Sequence, residues 1–271
     1  MRILFLGDVV GRTGRSAITG RLPKLRAELN VDFIAVNCEN ATNGLGLSPA
    51  HARAILAAGA DCITLGDHAF DQRDMIDYVA KEPRIVLPLN YAKKQPAPGA
   101  RVFRAGGKKI LVAVALGRVF MNRPFDDPFE PVSSILDKFR LGTAVDASIV
   151  EIHAEATSEK AAIGIWCDGR ASLVVGTHTH VPTADARILD KGTGFVSDIG
   201  MCGDYNSIIG MNADEPLTRF VSGMPGKRIQ PATVESTISG VIVEFDDATG
   251  LARRIAPLRE GGSLENAFGL H

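Results

Sequence analysis

The sequence has no apolar run long enough to cross a bilayer. Its longest run, at residues 110–116, is ILVAVAL, and a membrane helix needs roughly 20 apolar residues. Asp8 interrupts the apolar start of the chain before the core of a signal peptide can form. We therefore expect a cytoplasmic protein with no membrane partner.

Charge of one sign, paired cysteines and aromatic residues are also scarce. The 30 Lys+Arg balance 31 Asp+Glu to a net charge of −1, and aromatic residues make up 6% of the chain. This balance excludes a basic nucleic-acid coat and an acidic disordered tail. The four cysteines contain no CxxC pair, which argues against a zinc knuckle or a disulfide framework and favours buried free thiols.

The first half of the chain alternates strand-like and helix-like segments. Apolar runs predict strands at residues 1–8, 33–36, 62–65 and 85–88. Helical spacing predicts helices at residues 15–29, capped by Thr13 or Ser16, at 48–58, capped by Ser48, and at 75–80. This order predicts an α/β protein with a parallel or mixed sheet covered by helices.

The second half adds hairpins and a long loop. The predicted elements are a hairpin at residues 101–116 around Gly106-Gly107, a helix at 133–140, strands at 147–153, 171–176 and 194–198, and a last hairpin at 237–257. Residues 201–232 are rich in Gly, Pro and Asn and predict a long irregular arm. Because no linker divides the chain, we predict a single domain over residues 1–271.

Polar side chains that an ordinary loop does not require follow several of the predicted strands. They are Asp8, Asn37, Glu39, Asn40, Asp67, His68, Asp71, His153, His178 and His180. Each one alone is compatible with a turn former, a helix cap or a surface side chain. Four of the six histidines belong to the set, however, and the carboxyl ends of strands in α/β sheets form active sites. The set therefore predicts a common site.

His178 and His180 form the most specific pair. In an extended segment, residues two apart point to the same side, so this HxH pair predicts metal binding. Imidazole with carboxylate suits zinc, iron or manganese better than calcium. Two such ions can hold a phosphate and activate water, which leaves His68 as the proton donor to the leaving oxygen.

Other residues permit more than one interpretation. Arg12, at the start of the first helix, contacts a substrate phosphate or is simply solvated. Asp71 orients His68 or caps the helix at residues 75–80. The segment that carries Phe120, Phe125 and Phe129 covers the site, contacts a second subunit or packs locally, so a homo-oligomer stays open.

The motifs GDVVGRTGR, NCENATNGLG, GDHAFD, HAEATSEK, GTHTHVPTAD and SDIGMCG, in this order, closely resemble the YmdB-like branch of the calcineurin-type metallophosphoesterases. The resemblance runs from residue 1 to about residue 245. It implies a four-layer α/β/β/α sandwich with two divalent ions, above all iron or manganese, with zinc or magnesium as alternatives. It also implies hydrolysis of phosphodiesters, typically 2′,3′-cyclic nucleotides, with an RNA end as a further substrate.

The resemblance also implies roles for individual residues. The first metal ligands would be Asp8, Glu39, Asn40 and His180. The second metal ligands would be Glu39 as a bridge, Asp67, His153 and His178. Metal-bound hydroxide would attack phosphorus, and His68 would protonate the leaving oxygen.

One residue departs from the family pattern. The family's third motif reads Gly-Asn-His, whereas this chain has Gly66-Asp67-His68. The extra carboxylate leaves the centre with about one net positive charge rather than two. We expect tighter metal binding, a less electrophilic centre and tolerance of a more oxidised iron.

Two alternatives compete with a metallophosphoesterase. A β-lactamase-like hydrolase requires HxHxDH, and Val181, Pro182 and Thr183 after His180 break that pattern. A catalytically weak nucleotide-binding regulator or RNA-associated scaffold with the same fold stays open, although the neutral charge argues against broad RNA binding.

Overall fold

The computed structural model describes residues 1–224 and 226–268, so residue 225 of the predicted arm and the last three residues of the predicted domain lie outside it. The helices are α1 (Gly11–Glu28), α2 (Pro49–Ala57), α3 (Met75–Val79), α4 (Phe129–Lys138), α5 (Thr157–Trp166) and α6 (Asp214–Ser222). The strands are β1 (Arg2–Leu6), β2 (Asp8–Val9), β3 (Phe33–Asn37), β4 (Cys62–Thr64), β5 (Ile85–Val86), β6 (Ala100–Ala105), β7 (Lys108–Leu116), β8 (Ala147–His153), β9 (Leu173–Thr177), β10 (Arg187–Ile188), β11 (Gly194–Val196), β12 (Met201–Cys202), β13 (Ile238–Phe245), β14 (Ala252–Glu260) and β15 (Ala267–Phe268).

Two mixed sheets face each other, and helices cover both outer faces. The first sheet has the order β15-β14-β13-β1-β3-β4-β5, and the second has the order β10-β11-β9-β8-β7-β6. Alternation along β1 shows how the layers form, because successive side chains point to opposite faces. Leu4 and Leu6 pack with helices α1 and α2, whereas Ile3 and Phe5 pack against the second sheet. The α/β/β/α sandwich is therefore confirmed.

The second sheet repeats this pattern. Ile110 and Val112 of β7 face the first sheet, while Leu111 and Ala115 pack against α4 and α5 on the outside. The buried apolar side chains of the two sheets thus separate four layers. This arrangement leaves the carboxyl ends of the parallel strands of both sheets free to carry polar residues.

Several predicted elements were correct. The bounds of β8 agree with the prediction, and Ser48 caps α2 by accepting a hydrogen bond from the backbone N–H of His51 at 3.4 Å. The hairpin β6–β7 turns at Gly106 and Gly107, which both have positive φ angles. These are local signals, and they depend little on the rest of the chain.

Other elements were placed wrongly or missed. Helix α1 begins at Gly11 after Val10, and no side chain in the described part of the chain caps it, so neither Thr13 nor Ser16 is its cap. Gly14 lies inside this helix. The position requires glycine because a Cβ there would come within 2.1 Å of the carbonyl oxygen of Cys202. Helix α5 was not predicted, and the supposedly irregular arm contains β12 and α6.

The carboxyl ends of the central strands come together at one edge of the sandwich. Strands β1, β3 and β4 run parallel in the first sheet, and β7, β8 and β9 run parallel in the second. None of the helices in the described ranges is both long and apolar enough to span a membrane.

Candidate metal centre

The ends of five strands, and the segments after them, bring the predicted polar residues to this shared edge. Asp8 follows β1, the segment after β3 carries Glu39, and the segment after β4 carries Asp67. From the opposite sheet come His153, the last residue of β8, and His178, which follows β9. All of these side chains except that of His178 are buried.

Four of these residues form a tight group, which we call the ligand cluster: Glu39, Asp67, His153 and His178. One candidate ligand atom from each lies within 4.8 Å of all the others. The Nε2 atom of His153 is 3.1 Å from Glu39 Oε1, 3.1 Å from Asp67 Oδ1 and 3.0 Å from His178 Nδ1. The cluster has the same members as the second ligand set implied by the sequence resemblance.

Two residues of the first ligand set, Asn40 and His180, pair with each other. Asn40 Oδ1 lies 3.2 Å from His180 Nε2. The amide of Asn40 donates to the carbonyl oxygen of Gly44, and Nδ1 of His180 lies 2.8 Å from the carbonyl oxygen of Ile209. These bonds fix both side chains so that the Asn40 oxygen and the second nitrogen of His180 face each other.

Asp8 completes the group and carries an unpaired atom. Its Oδ2 accepts a hydrogen bond from the backbone N–H of His178 at 3.3 Å, and its Oδ1 lies 3.9 Å from His153 Nδ1. Although Asp8 is fully buried, Oδ1 has no hydrogen-bond partner within the described ranges. A buried carboxylate oxygen without a donor is costly, and a metal ion would satisfy it.

The chemistry of this donor set fits divalent ions. Three buried carboxylates and imidazole nitrogens offer the hard and intermediate ligands that iron, manganese and zinc take. Ligating imidazoles in metal sites usually bond through their other nitrogen to a carboxylate, a carbonyl or another polar group. The histidines of this site are held in that way.

Thr177 and Glu155 contact two of these histidines, and Glu151 in turn holds Thr177. These three residues were not identified from the sequence. Thr177 Oγ1 lies 2.9 Å from His153 Nδ1 and donates its own proton to Glu151 at 2.8 Å. Glu155 Oε2 lies 3.2 Å from His178 Nε2. The one available signal was a charged residue, Glu151, in the apolar strand β8.

The backbone of the His178-Thr179-His180 segment differs from the prediction. His178 has φ of 95° and His180 has φ of 65°, so the segment is a left-handed turn and not an extended strand. The two side chains still face the site. The turn in the chain places them there, whereas the prediction relied on strand alternation. The structure brings these side chains together, but the extended backbone predicted for the pair is wrong.

His68 lies beside the ligand cluster with one ring nitrogen held. Its Nδ1 is 2.8 Å from Asp71 Oδ2, its backbone N–H donates to Glu39 at 3.2 Å, and its Nε2 is 4.0 Å from Asp67 Oδ2. The side chain is 27% exposed, so substrate can reach it. Asp71 therefore orients His68, and the residue at the start of α3 is Asp74 instead.

Burial and charge together shift the ionisation of the site. Burial opposes ionisation of Asp67, yet hydrogen bonds from His153 and His178 lower its pKa. Burial alone would lower the pKa of His153, but Glu39 and Asp67 raise it. Burial likewise opposes charge on His68, while the charges of Glu39 and Asp67 and the contact with Asp71 raise its pKa. Carboxylates thus dominate the field of the site, which attracts cations.

Two arginines differ in what they contact. Arg12 is exposed in the first turn of α1. Arg123, from the segment after β7, donates to the hydroxyl of Tyr91 at 2.7 Å and lies 3.6 Å from Asp71 Oδ1. The phenylalanine-bearing segment thus reaches the residue that holds His68.

Comparisons with known proteins agree with this geometry. The family model described as "YmdB-like protein" matches residues 4–258. The 2′,3′-cyclic-nucleotide 2′-phosphodiesterase of Bacillus subtilis (strain 168) is 41% identical over 255 residues, which cover 94% of this chain and 95% of that protein.

Two crystal structures are similar throughout. A hypothetical protein from Thermus thermophilus has a TM-score of 0.89 at 39% identity, and the match covers 96% of this chain and 99% of that one. A phosphatase from Mycoplasma pneumoniae has a TM-score of 0.89 at 33% identity, and the match covers 96% of this chain and 93% of that one.

Proposed function

Because this chain belongs to the YmdB-like protein family and is a phosphoric diester hydrolase, we propose that it uses two divalent metal ions to hydrolyse 2′,3′-cyclic nucleotides. The observation that carries the proposal is the ligand cluster, in which Glu39, Asp67, His153 and His178 converge within 4.8 Å. The name of the Bacillus subtilis relative supplies the substrate class.

The residues divide into two proposed ligand sets that share Glu39. Asp8, Asn40 and His180 would hold one ion with it, and Asp67, His153 and His178 would hold the other. When bound, the ions supply positive charge that holds the phosphate and lowers the pKa of water. We propose iron or manganese, with zinc and magnesium as alternatives, because the set mixes imidazole with carboxylate.

The chain's own residues position this chemistry. Nδ1 of His68 is held by Asp71 at 2.8 Å, so Nε2 is left to donate a proton to the leaving ribose oxygen. Although burial opposes charge on His68, the contact with Asp71, which is not a proposed metal ligand, raises its pKa, so the ring keeps the proton that a general acid requires. Arg12 stands near the start of α1 as a proposed contact for a substrate phosphate.

We also propose that the enzyme is cytoplasmic and that it acts on RNA ends. The four cysteines, all in the described part of the chain, are buried and free, which suits the reducing cytoplasm. An RNA end that carries a 2′,3′-cyclic phosphate presents the same reacting atoms as a cyclic nucleotide, so we include it as a substrate. A single domain over residues 1–271 and a homo-oligomer stay as predictions.

A direct assay tests the proposal. Purified protein stripped with EDTA and reloaded with Mn²⁺ or Fe²⁺ is given 2′,3′-cyclic AMP, and the product is separated by chromatography. We expect 3′-AMP, because cleavage of the bond to the 2′ oxygen leaves the phosphate on the 3′ oxygen. EDTA should abolish turnover, and Asp74→Asn, an exposed change near α3, should preserve it.

The alternative function predicts a different result. A regulator with the same fold would bind the nucleotide without converting it. If the metal-loaded protein binds 2′,3′-cyclic AMP but yields no product with any of the four metals, the enzymatic proposal is wrong and the regulator is favoured.

A further inference from the structure

The segment SDIGMCG contacts the residue between the two proposed histidine ligands but contributes no residue to the ligand cluster. Its Asp198 is 1% exposed, and the carboxylate pairs with Lys160 of α5, which is completely buried. The Nζ atom of Lys160 donates to Asp198 Oδ2 at 2.7 Å. A buried ion pair is weak evidence for stability, since desolvation offsets its attraction. The other hydrogen bonds of the Asp198 carboxylate indicate a more specific role than stability.

The same carboxylate oxygen holds the residue between the two histidine ligands. Thr179 donates to Asp198 Oδ2 twice, from its backbone N–H at 3.1 Å and from its hydroxyl at 2.6 Å. The other oxygen, Oδ1, accepts from the backbone N–H of Gly200 at 2.8 Å. The carboxylate is thus fixed on one side by α5 and its own loop, and it fixes Thr179 on the other side.

This anchoring coincides with unfavourable backbone. His178 and His180 both have positive φ, a conformation that non-glycine residues adopt only where the surroundings enforce it. The SDIGMCG segment and the residues after it also hold the backbone of His180. Its carbonyl oxygen accepts hydrogen bonds from the backbone N–H of Met201 at 3.1 Å and from Tyr205 Oη at 3.1 Å.

The sheet leaves room for the buried lysine. A Cβ on Gly176 in β9 would lie 1.8 Å from the carbonyl oxygen of Ser197 and 3.0 Å from Cδ of Lys160. The glycine therefore permits both the lysine stem and the SDIGMCG segment to pack close to β9. Packing alone does not require a charged pair there, because apolar side chains of similar volume would fill the space.

We propose that Lys160, Asp198 and Thr179 form a positioning unit that holds His178 and His180 in the orientation required to bind the two metal ions. The inference rests on the proposed function as a metal-dependent enzyme. Lys160 holds the Asp198 carboxylate in place, the carboxylate holds Thr179, and Thr179 sets the turn that aims an imidazole on each side.

Metal affinity compared with thermal stability tests this role. Thr179→Val removes one hydroxyl donor, and Asp198→Asn and Lys160→Met each remove one charge. Changes to residues that support metal ligands typically weaken metal binding by about 10- to 100-fold. We expect that loss in Mn²⁺ affinity by calorimetry and an altered electron paramagnetic resonance spectrum of bound Mn²⁺. Thr179→Ser, which keeps the hydroxyl, should restore both.

The matched control is Thr193→Val at the opposite end of the same sheet. Thr193 is buried, and its hydroxyl donates to the carbonyl oxygen of Ala171 at 2.7 Å. The Thr193→Val variant should lower the melting temperature in EDTA at least as much as Thr179→Val does, without changing Mn²⁺ affinity. If Asp198→Asn does not fold, Thr179→Val alone decides the question.

The outcomes separate this inference from the proposed function. If Thr179→Val and Lys160→Met bind Mn²⁺ as tightly as the unaltered protein and lose only thermal stability, the positioning role is wrong. If the unaltered protein binds Mn²⁺ and the variants lose affinity, the role holds, even where no phosphodiester is hydrolysed. Binding of Mn²⁺ without hydrolysis of any phosphodiester would contradict only the proposed function.

Discussion

The Oδ1 atom of Asp67 lies 3.1 Å from Nε2 of His153, inside the group of atoms proposed to bind the second metal ion. At Asp67 the chain carries a carboxylate where the sequence resemblance implies an amide. The extra negative charge therefore lies among the ligands themselves, where it acts directly on bound cations.

Asp67→Asn should weaken metal binding and raise turnover per bound ion. Removing one charge a few ångströms from an ion costs about 1–4 kcal/mol, which corresponds to a loss of affinity of about 5-fold to 1,000-fold. The amide would leave the metal centre more positive and a better electrophile. Calorimetric titration with Mn²⁺ and turnover of 2′,3′-cyclic AMP at saturating Mn²⁺ measure the two effects.

Asp74→Asn is the control for that variant, because Asp74 is exposed and lies on the same segment. It should change neither quantity. If Asp67→Asn matches the unaltered protein in both affinity and rate, the charge argument fails.

Replacing the proposed proton donor should matter only when the leaving group needs a proton. His68→Asn should lower kcat for 2′,3′-cyclic AMP by about 10²- to 10⁴-fold, the usual contribution of a general acid. With bis(p-nitrophenyl) phosphate the loss should shrink to about tenfold or less, because nitrophenolate leaves without protonation. Equal losses on both substrates would mean that His68 supports the metal centre and does not donate a proton.

The glycine before Asp67 offers a test of the cluster geometry. A Cβ on Gly66 would lie 2.2 Å from Glu39 Oε2 and 2.4 Å from His153 Nε2. Gly66→Ala should therefore displace two proposed ligands and reduce Mn²⁺ affinity by about 100-fold or more. Calorimetric titration measures the loss.

Gly20 in α1 is the matched position for this change, since no described atom lies within 4 Å of a Cβ there. Gly20→Ala should leave metal binding intact and stabilise the protein by about 0.5–1 kcal/mol, the usual effect of alanine in a helix. Normal metal binding by Gly66→Ala would contradict the arrangement of the cluster.

The buried carboxyl of Glu151 should make stability depend on pH. Burial raises the pKa of Glu151 from 4.5 to about 7, so the native state binds this proton more tightly than the unfolded chain does. The stabilisation is complete below about pH 4.5 and is lost as the pH rises through about 7. Glu151→Gln does not titrate and should escape this loss.

Urea unfolding in EDTA at about pH 5 and about pH 8 measures the difference. Relative to the unaltered protein, Glu151→Gln should gain up to about 3 kcal/mol between the two pH values, as expected for a shift of this size. Parallel pH profiles for the two proteins would show that Glu151 is charged in both states.

Much of the fold could be predicted because it follows local patterns. The hairpin β6–β7 and the Ser48 cap depend on neighbours in the chain, and both were predicted from the sequence. Helix α5 was missed because its polar first turn follows His153 like an ordinary loop. The start of α1 was misjudged because Gly14 makes a close contact with Cys202, a residue distant in sequence.

The sequence by itself indicated an α/β fold and the polar residues that follow its strands, since periodicity and residue type are properties of short segments, and the resemblance implied the four layers. Only the tertiary structure decided how the ligands are aimed. The left-handed turn at His178 and His180 depends on Asp198 and Lys160, and the orientation of His153 depends on Thr177 and Glu151. Spacing in the sequence cannot reveal such contacts, because they form only when the two halves of the chain pack together.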